Sequence, residues 1–177
     1  MEISFDKRRL MYNNSQDLYF ITYNIILILY YLECVGKDKQ FKDYRKLVFL
    51  IPIISNSKGT TVLLDYYKAK NKANRNITLE ISRLYYDSIE NITLIRYVLL
   101  ILERKEIITL VTENNKTNLY LNRVERCERI ANDKRFDMEK GRIIKLKKGI
   151  HRLGTINYMT FVDNFFKRNG VAIWESY

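Results

Sequence analysis

Asp87, Glu103 and Lys105 are the residues whose types and spacing come nearest to a catalytic set. Metal-dependent nucleases place an Asp and a Glu-x-Lys at neighbouring strand ends, where the carboxylates hold a divalent ion and the lysine assists the attacking water. Here Glu103-Arg104-Lys105 follows an apolar run, and Asp87 lies 16 residues upstream of Glu103. The arrangement requires Tyr97–Leu102 to be a strand. The stretch Ser88–Leu102 reads as helix by its length, and a helix would separate Asp87 from Glu103 by about 24 Å, too far for one metal ion. Other reactive groups are sparse. His151 is the single histidine, and Cys34 and Cys127 are isolated, without CxxC spacing. Neither a Ser-His-Asp set nor a structural zinc site assembles from these, and no GxxxxGK[ST] or GxGxxG phosphate loop is present. The reading is of a chain that is not an enzyme and needs no cofactor or metal.

A second kind of chemistry, the binding of phosphate, is better provided for. The net charge is +11, which favours an anionic partner such as nucleic acid, a membrane surface or an acidic protein face. Lys68, Lys70, Lys72 and Arg75 lie close together with no acid among them, and Arg142, Lys145, Lys147, Lys148 and Arg152 form a second cluster. Lys68, Lys70, Lys72, Arg75, Lys116, Lys145, Lys147 and Lys148 are the candidate nucleic-acid contacts. The bland alternative for each cluster is a solvated face.

The elements that would carry these residues follow from periodicity. Leu18–Leu32 is an almost uncharged apolar run, read as a buried helix capped by Ser15 or Asn14 and ended by Gly36. At 15 residues it falls short of the roughly 17–20 that a membrane span needs. Lys39–Ile54 has helical spacing, with Pro52 kinking or stopping it. Ser55–Gly59 reads as a turn, and Thr60 or Thr61 as the cap of a short helix through Tyr67. Asn76 or Thr78 begins another helix, and Ser88 or Asn91 caps a long one to Leu102. Two β-rich runs, Ile107–Thr112 and Asn118–Asn122, flank the polar turn Glu113–Thr117. A charged helix over Arg123–Lys140, ended by Gly141, precedes a half-buried strand at Arg142–Lys148. Thr155–Asn169 is a last amphipathic helix with Gly170 as its cap, before the aromatic tail carrying Trp174 and Tyr177.

Helices followed at once by a small hairpin form the end of a winged helix-turn-helix. The fold class read from this pattern is α+β, mainly α, with a winged-helix-like unit and extra N- and C-terminal helices. One domain spans 1–177, divisible into an N-terminal helical part (1–67), the winged-helix-like unit (76–122) and a C-terminal helical part (123–177). The single proline and six glycines leave little material for long linkers. The cysteines, with no signal-peptide cleavage pattern before them, read as reduced, buried thiols of a cytosolic protein. The excess of apolar helix faces points to a protein partner, with Tyr19, Tyr23, Ile26, Tyr30, Trp174 and Tyr177 as candidate contacts. On that reading the chain is an obligate subunit that self-associates when expressed alone.

The layout resembles the small middle component of bacterial three-component systems built around an SMC-like ABC ATPase, the Lamassu-type anti-phage defence systems among them. The matching features are the apolar first helix Leu18–Leu32, the segment Lys46-Leu47-Val48-Phe49-Leu50-Ile51-Pro52-Ile53-Ile54, the helix and hairpin of Ser88–Asn122, and a charged C-terminal part. The resemblance implies a non-enzymatic accessory subunit that bridges the ATPase and an effector and helps contact DNA. The rival class is a stand-alone winged-helix DNA-binding protein. Its recognition helix would need Arg, Asn or Gln at base edges, and Thr78–Asp87 offers only Arg83.

Overall fold

The structure is a computed structural model that describes residues 17–68 and 75–173. Its centre is built on two helices that are apolar on nearly every side. Helix α1 (Leu18–Tyr31) buries Ile21 and every residue from Asn24 to Leu29. Helix α2 (Lys46–Ser55) buries Lys46 to Ile51, Ile53 and Ile54. A helix that is hydrophobic all round must be enclosed on all sides. The enclosing elements are α3 (Ser57–Lys68), α4 (Arg75–Ile89), α5 (Ile92–Arg104), α6 (Val124–Ala131) and α7 (Asp137–Gly149). Strands β1 (Ile108–Glu113) and β2 (Lys116–Leu121) form one antiparallel hairpin, and α8 (Tyr158–Phe165) closes the chain with a 3-10 turn at Lys167–Asn169. The protein is therefore mainly helical with a two-stranded sheet. One buried apolar cluster runs from Ile21 to Val171.

The apolar run of α1 is consumed by the protein's own core. Ile26, expected at a partner face, is 2% exposed and packs inside. The cap of α1 is Asp17, whose carboxylate accepts the Tyr19 N–H at 2.8 Å; Ser15 and Asn14 lie outside the described residues. The helix ends at Tyr31, before Gly36. Among the described residues no single helix is both long enough and apolar enough to cross a membrane.

Helix α2 starts later than its periodicity predicts, because residues 34–44 pair with the free edge of β2. The Phe41 N–H donates to the Leu119 carbonyl at 2.8 Å and the Leu119 N–H returns to Phe41 at 3.1 Å. The Tyr44 N–H reaches Thr117, and the Leu121 N–H reaches Cys34. Covering a strand edge satisfies backbone groups that would otherwise recruit another strand, and here this outweighs the local helical pattern. The helix then runs through Pro52 to Ser55, and the expected turn at Ser55–Gly59 shrinks to Asn56 before α3, at a bend of 116°.

The long helix expected over Ser88–Leu102 is two helices. Ser88 belongs to α4, donating to the Leu84 carbonyl at 2.5 Å, and α5 starts after Asn91. The hairpin turn is tighter than expected. Asn114 and Asn115 sit at φ 49° and 60°, the two left-handed positions of the hairpin turn that matches strand twist, with Glu113 opposite Lys116. The Arg123–Lys140 helix is interrupted where Asp133 accepts the Arg135 N–H and starts a 3-10 turn. Gly141 lies inside α7 and does not end a helix. The strand expected at Arg142–Lys148 is helix: Ile143, Leu146 and Ile150 are buried at i, i+3 and i+7, one helical stripe, while Ile144 is only half-buried. The last helix is shorter than expected. Asn157 caps it by accepting the Met159 N–H at 3.2 Å, and Gly170 terminates the following turn at φ 78°.

One buried charge ties these pieces together. Lys46 is fully buried, and its ammonium donates to the carbonyls of Leu153 (3.0 Å), Gly154 (2.9 Å) and Ile156 (2.7 Å). Nζ also stands 4.4 Å from the centre of the Phe41 ring. Burial pushes Lys46 from its ordinary 10.5 down to about 7. Between those values the unfolded chain binds a proton that the folded chain releases, so folding stability is expected to rise as pH increases from about 7 toward 10.5. Lys46→Met should abolish that rise. It should also cost about 1–3 kcal/mol near neutral pH, because three buried carbonyls lose their donor. Urea unfolding of both proteins at several pH values measures this. A pH-independent difference between them would contradict it.

Candidate nucleic-acid interface

Helices α3 and α7 meet at Gly149, against the end of the Leu64 side chain. A Cβ there would stand 2.4 Å from Cδ2 of Leu64. Above this contact the two helices flank an open groove of about 560 Å³, lined among others by Thr61, Asp65, Lys68, Arg142, Lys145 and Lys148. The helical phase of α7 decides which of its cations face the groove. A strand would have put Lys145 and Lys147 on one face; a helix puts Lys145 and Lys148 together, one turn apart. Lys147 points elsewhere and pairs with Glu33 at 2.7 Å. Its hydrogen bond holds the Glu33 carboxyl below the usual range.

Arg142 has a different task from the lysines beside it. Its Nη1 donates to the carbonyls of Ile54 and Ser55, both at 2.8 Å. These are carbonyls at the C-terminal end of α2, where a helix leaves acceptors without partners and carries partial negative charge. Arg142 thus fixes α7 against α2 and so aims Lys145 and Lys148. Lys68, Lys145 and Lys148 have no ion-pair partner among the described residues, and Asp65 is the one acid among the groove's lining residues. The groove is therefore net positive.

The structure brings together one residue of the first predicted cluster, Lys68, and three of the second, Arg142, Lys145 and Lys148. Lys70 and Lys72 lie outside the described residues, as does the side chain of Arg75. Lys116 sits at the hairpin turn and does not line the groove. Of the predicted partner contacts, Tyr19 is 74% exposed. Tyr23 packs on Phe136 with ring centres 5.0 Å apart, and Tyr30 stands edge-on to Tyr31 at 5.2 Å. Trp174 and Tyr177 lie outside the described residues. Sequence reasoning missed Tyr97 and Leu100, which are 55% and 56% exposed on α5. They sit within an apolar run that reads as all core, and only the helix's orientation turns them outward.

The rival catalytic set lacks the strand it requires. Tyr97–Leu102 is helix, and Asp87 lies in α4. Glu103 is engaged in accepting the Leu110 N–H at 3.2 Å. Burial raises the thiol of Cys34 to about 11 and that of Cys127 upward as well, which removes both from the thiolate form that reacts near neutral pH. A separate cavity of about 260 Å³ lies beside α8, walled by Phe49, Tyr85, Tyr158 and Val162. Arg45 at its rim stacks on Tyr158, 4.3 Å from the ring centre, and pairs with buried Asp43 at 2.5 Å.

Comparison with protein-family models, with curated proteins and with solved structures gave no match.

The two roles assigned to α7 separate by mutation. Arg142→Ala should destabilise the fold by about 1.5–3 kcal/mol, since two carbonyls are deprived of a charged donor. Lys148→Ala should stay within about 0.5 kcal/mol of the parent, as an exposed side chain does. Denaturant midpoints report both. Equal effects of the two substitutions would contradict the assignment.

Proposed function

We propose that this protein is a non-catalytic accessory subunit that holds nucleic acid through its phosphates, without reading sequence, and docks on a partner protein. The observation that carries the first half is the meeting of Lys68 with Lys145 and Lys148, nearly 80 residues apart in sequence, on one open groove. Cations on rigid helix faces, with no ion partner among the described residues, suit a polyanion. The helix that precedes the hairpin supports non-specific binding. In a winged-helix arrangement the helix adjoining the wing β1–β2, which is α5 and not the expected Thr78–Asp87, would be the recognition helix. The exposed side of α5 carries Thr93, Arg96, Tyr97, Leu100 and Arg104, and the Arg96 Nε is engaged by the Tyr44 hydroxyl at 2.6 Å. Apolar Tyr97 and Leu100 at its centre suit a protein surface better than base edges.

That same face supports the second half of the proposal. The layout shared with the middle components of SMC-like ATPase systems makes such an ATPase the partner to test. Helix where the Asp and Glu-x-Lys set needs a strand, the engagement of Glu103 by the Leu110 N–H, and the raised thiols support the non-catalytic reading.

Nucleic-acid binding is measured by anisotropy of a labelled oligonucleotide across a salt series. Affinity is expected to fall steeply with salt and to be similar for unrelated sequences. Replacing Lys145 and Lys148 by Gln should weaken all sequences alike and reduce the salt slope by about one for each phosphate no longer neutralised. Absence of binding at low salt, or binding indifferent to salt, would refute the phosphate reading. Leu100→Asp should break co-purification with the partner while leaving nucleic-acid affinity unchanged; loss of both together would argue against two separate surfaces.

A further inference from the structure

The basic groove does not end at Lys148. A second groove of about 650 Å³ adjoins it, and Lys148 lines both. The two differ in chemistry. The first is lined mainly by cations and hydroxyls, with Asp65 its one acid. The second is walled by Tyr30 and Tyr31 from the end of α1 and by Val35, Val124 and Ile144. Its remaining cation, Lys147, is neutralised by Glu33, so the charge falls off as the aromatic wall begins.

Tyr30 is pre-positioned. Its ring lies edge-on to Tyr31, at 80° with centres 5.2 Å apart. Tyr31 is anchored by its hydroxyl, which donates to the Ala131 carbonyl at 2.7 Å, and by the Lys140 ammonium 5.8 Å from its ring centre. A ring already held in place loses little freedom when a flat group stacks against it.

We propose that the nucleic acid of this groove is single-stranded, with its backbone along Lys145 and Lys148 and a base against Tyr30. This rests on the phosphate-binding reading and narrows it. A duplex presents phosphates outward but keeps its bases stacked inside, so it can use the cations and has no use for the aromatic wall. A single strand can turn a base out. A cationic track beside an aromatic platform is the combination that holds single strands without sequence preference.

Anisotropy titrations at fixed salt, with an oligothymidylate of about 20 nucleotides and a duplex of the same length, test the proposal. The single strand should bind more tightly. Tyr30→Ala should weaken it roughly tenfold and leave the duplex unchanged, and Tyr30→Phe should retain the parent affinity. Lys145→Gln with Lys148→Gln should weaken both ligands. A thermal melt checks that Tyr30→Ala is folded. Independently of that variant, Tyr30→Trp in a Trp174→Phe background should show emission quenched by the single strand and not by the duplex. Preference for the duplex, or equal loss for both ligands in Tyr30→Ala without selective quenching, overturns the single-strand inference and leaves the phosphate reading standing. No binding of either ligand at low salt overturns both.

Discussion

A buried ammonium is tolerated only when each of its donors finds an acceptor, and Lys46 imposes that condition on this fold. Protonated, the lysine carries three donors, and the carbonyls of Leu153, Gly154 and Ile156 take all three. The first turn of α2 is thereby joined to the connection between α7 and α8, more than a hundred residues later in the chain. The backbone repeats the link nearby, where the Lys42 N–H donates to Gly154. Placing the lysine elsewhere would strand a charge or three carbonyls, and each outcome costs more than a typical hydrogen bond returns. The irregular segment before α2 follows from the same condition, since it must deliver Phe41 to the ammonium and pair with the edge of β2 on the way.

From that anchor the geometry of the groove can be traced outward. α2 ends where Arg142 takes its last carbonyls, so α7 is held both near its middle, through Arg142, and at its exit, through the loop on Lys46. Between these points Ile143, Leu146 and Ile150 face the core. Fixing one stripe of a helix fixes the others, so Lys145 and Lys148 must face α3, while Lys147 lies toward Glu33 at the end of α1. The separation of a cationic groove from an aromatic one is a consequence of how one helix is packed.

Much of this was open to reading from the sequence, and the limits are physical. The apolar run of α1, the hairpin of 108–121 and the αL cap at Gly170 depend on near neighbours, and periodicity or turn chemistry reveals them. Residues 142–148 alternate apolar and basic side chains closely enough to fit either period over so short a stretch, and the strand reading took the wrong one. The helix predicted across 39–45 failed for another reason. Its pattern is real, but β2 offers that segment backbone partners about 75 residues away.

By itself the sequence determined the amounts and the local rhythm: a basic, mainly helical chain with one small hairpin and two basic clusters, poor in catalytic residue types. Only the tertiary structure decided which lysine is buried, which arginine caps a helix and which cations meet. Lys46 and Lys145 are the same residue type in comparable apolar company along the chain. One is enclosed and the other solvated because the nearest carbonyls, helix ends and acids in space come from distant parts of the sequence. A local pattern records which residues repeat; it carries no record of what that face will meet.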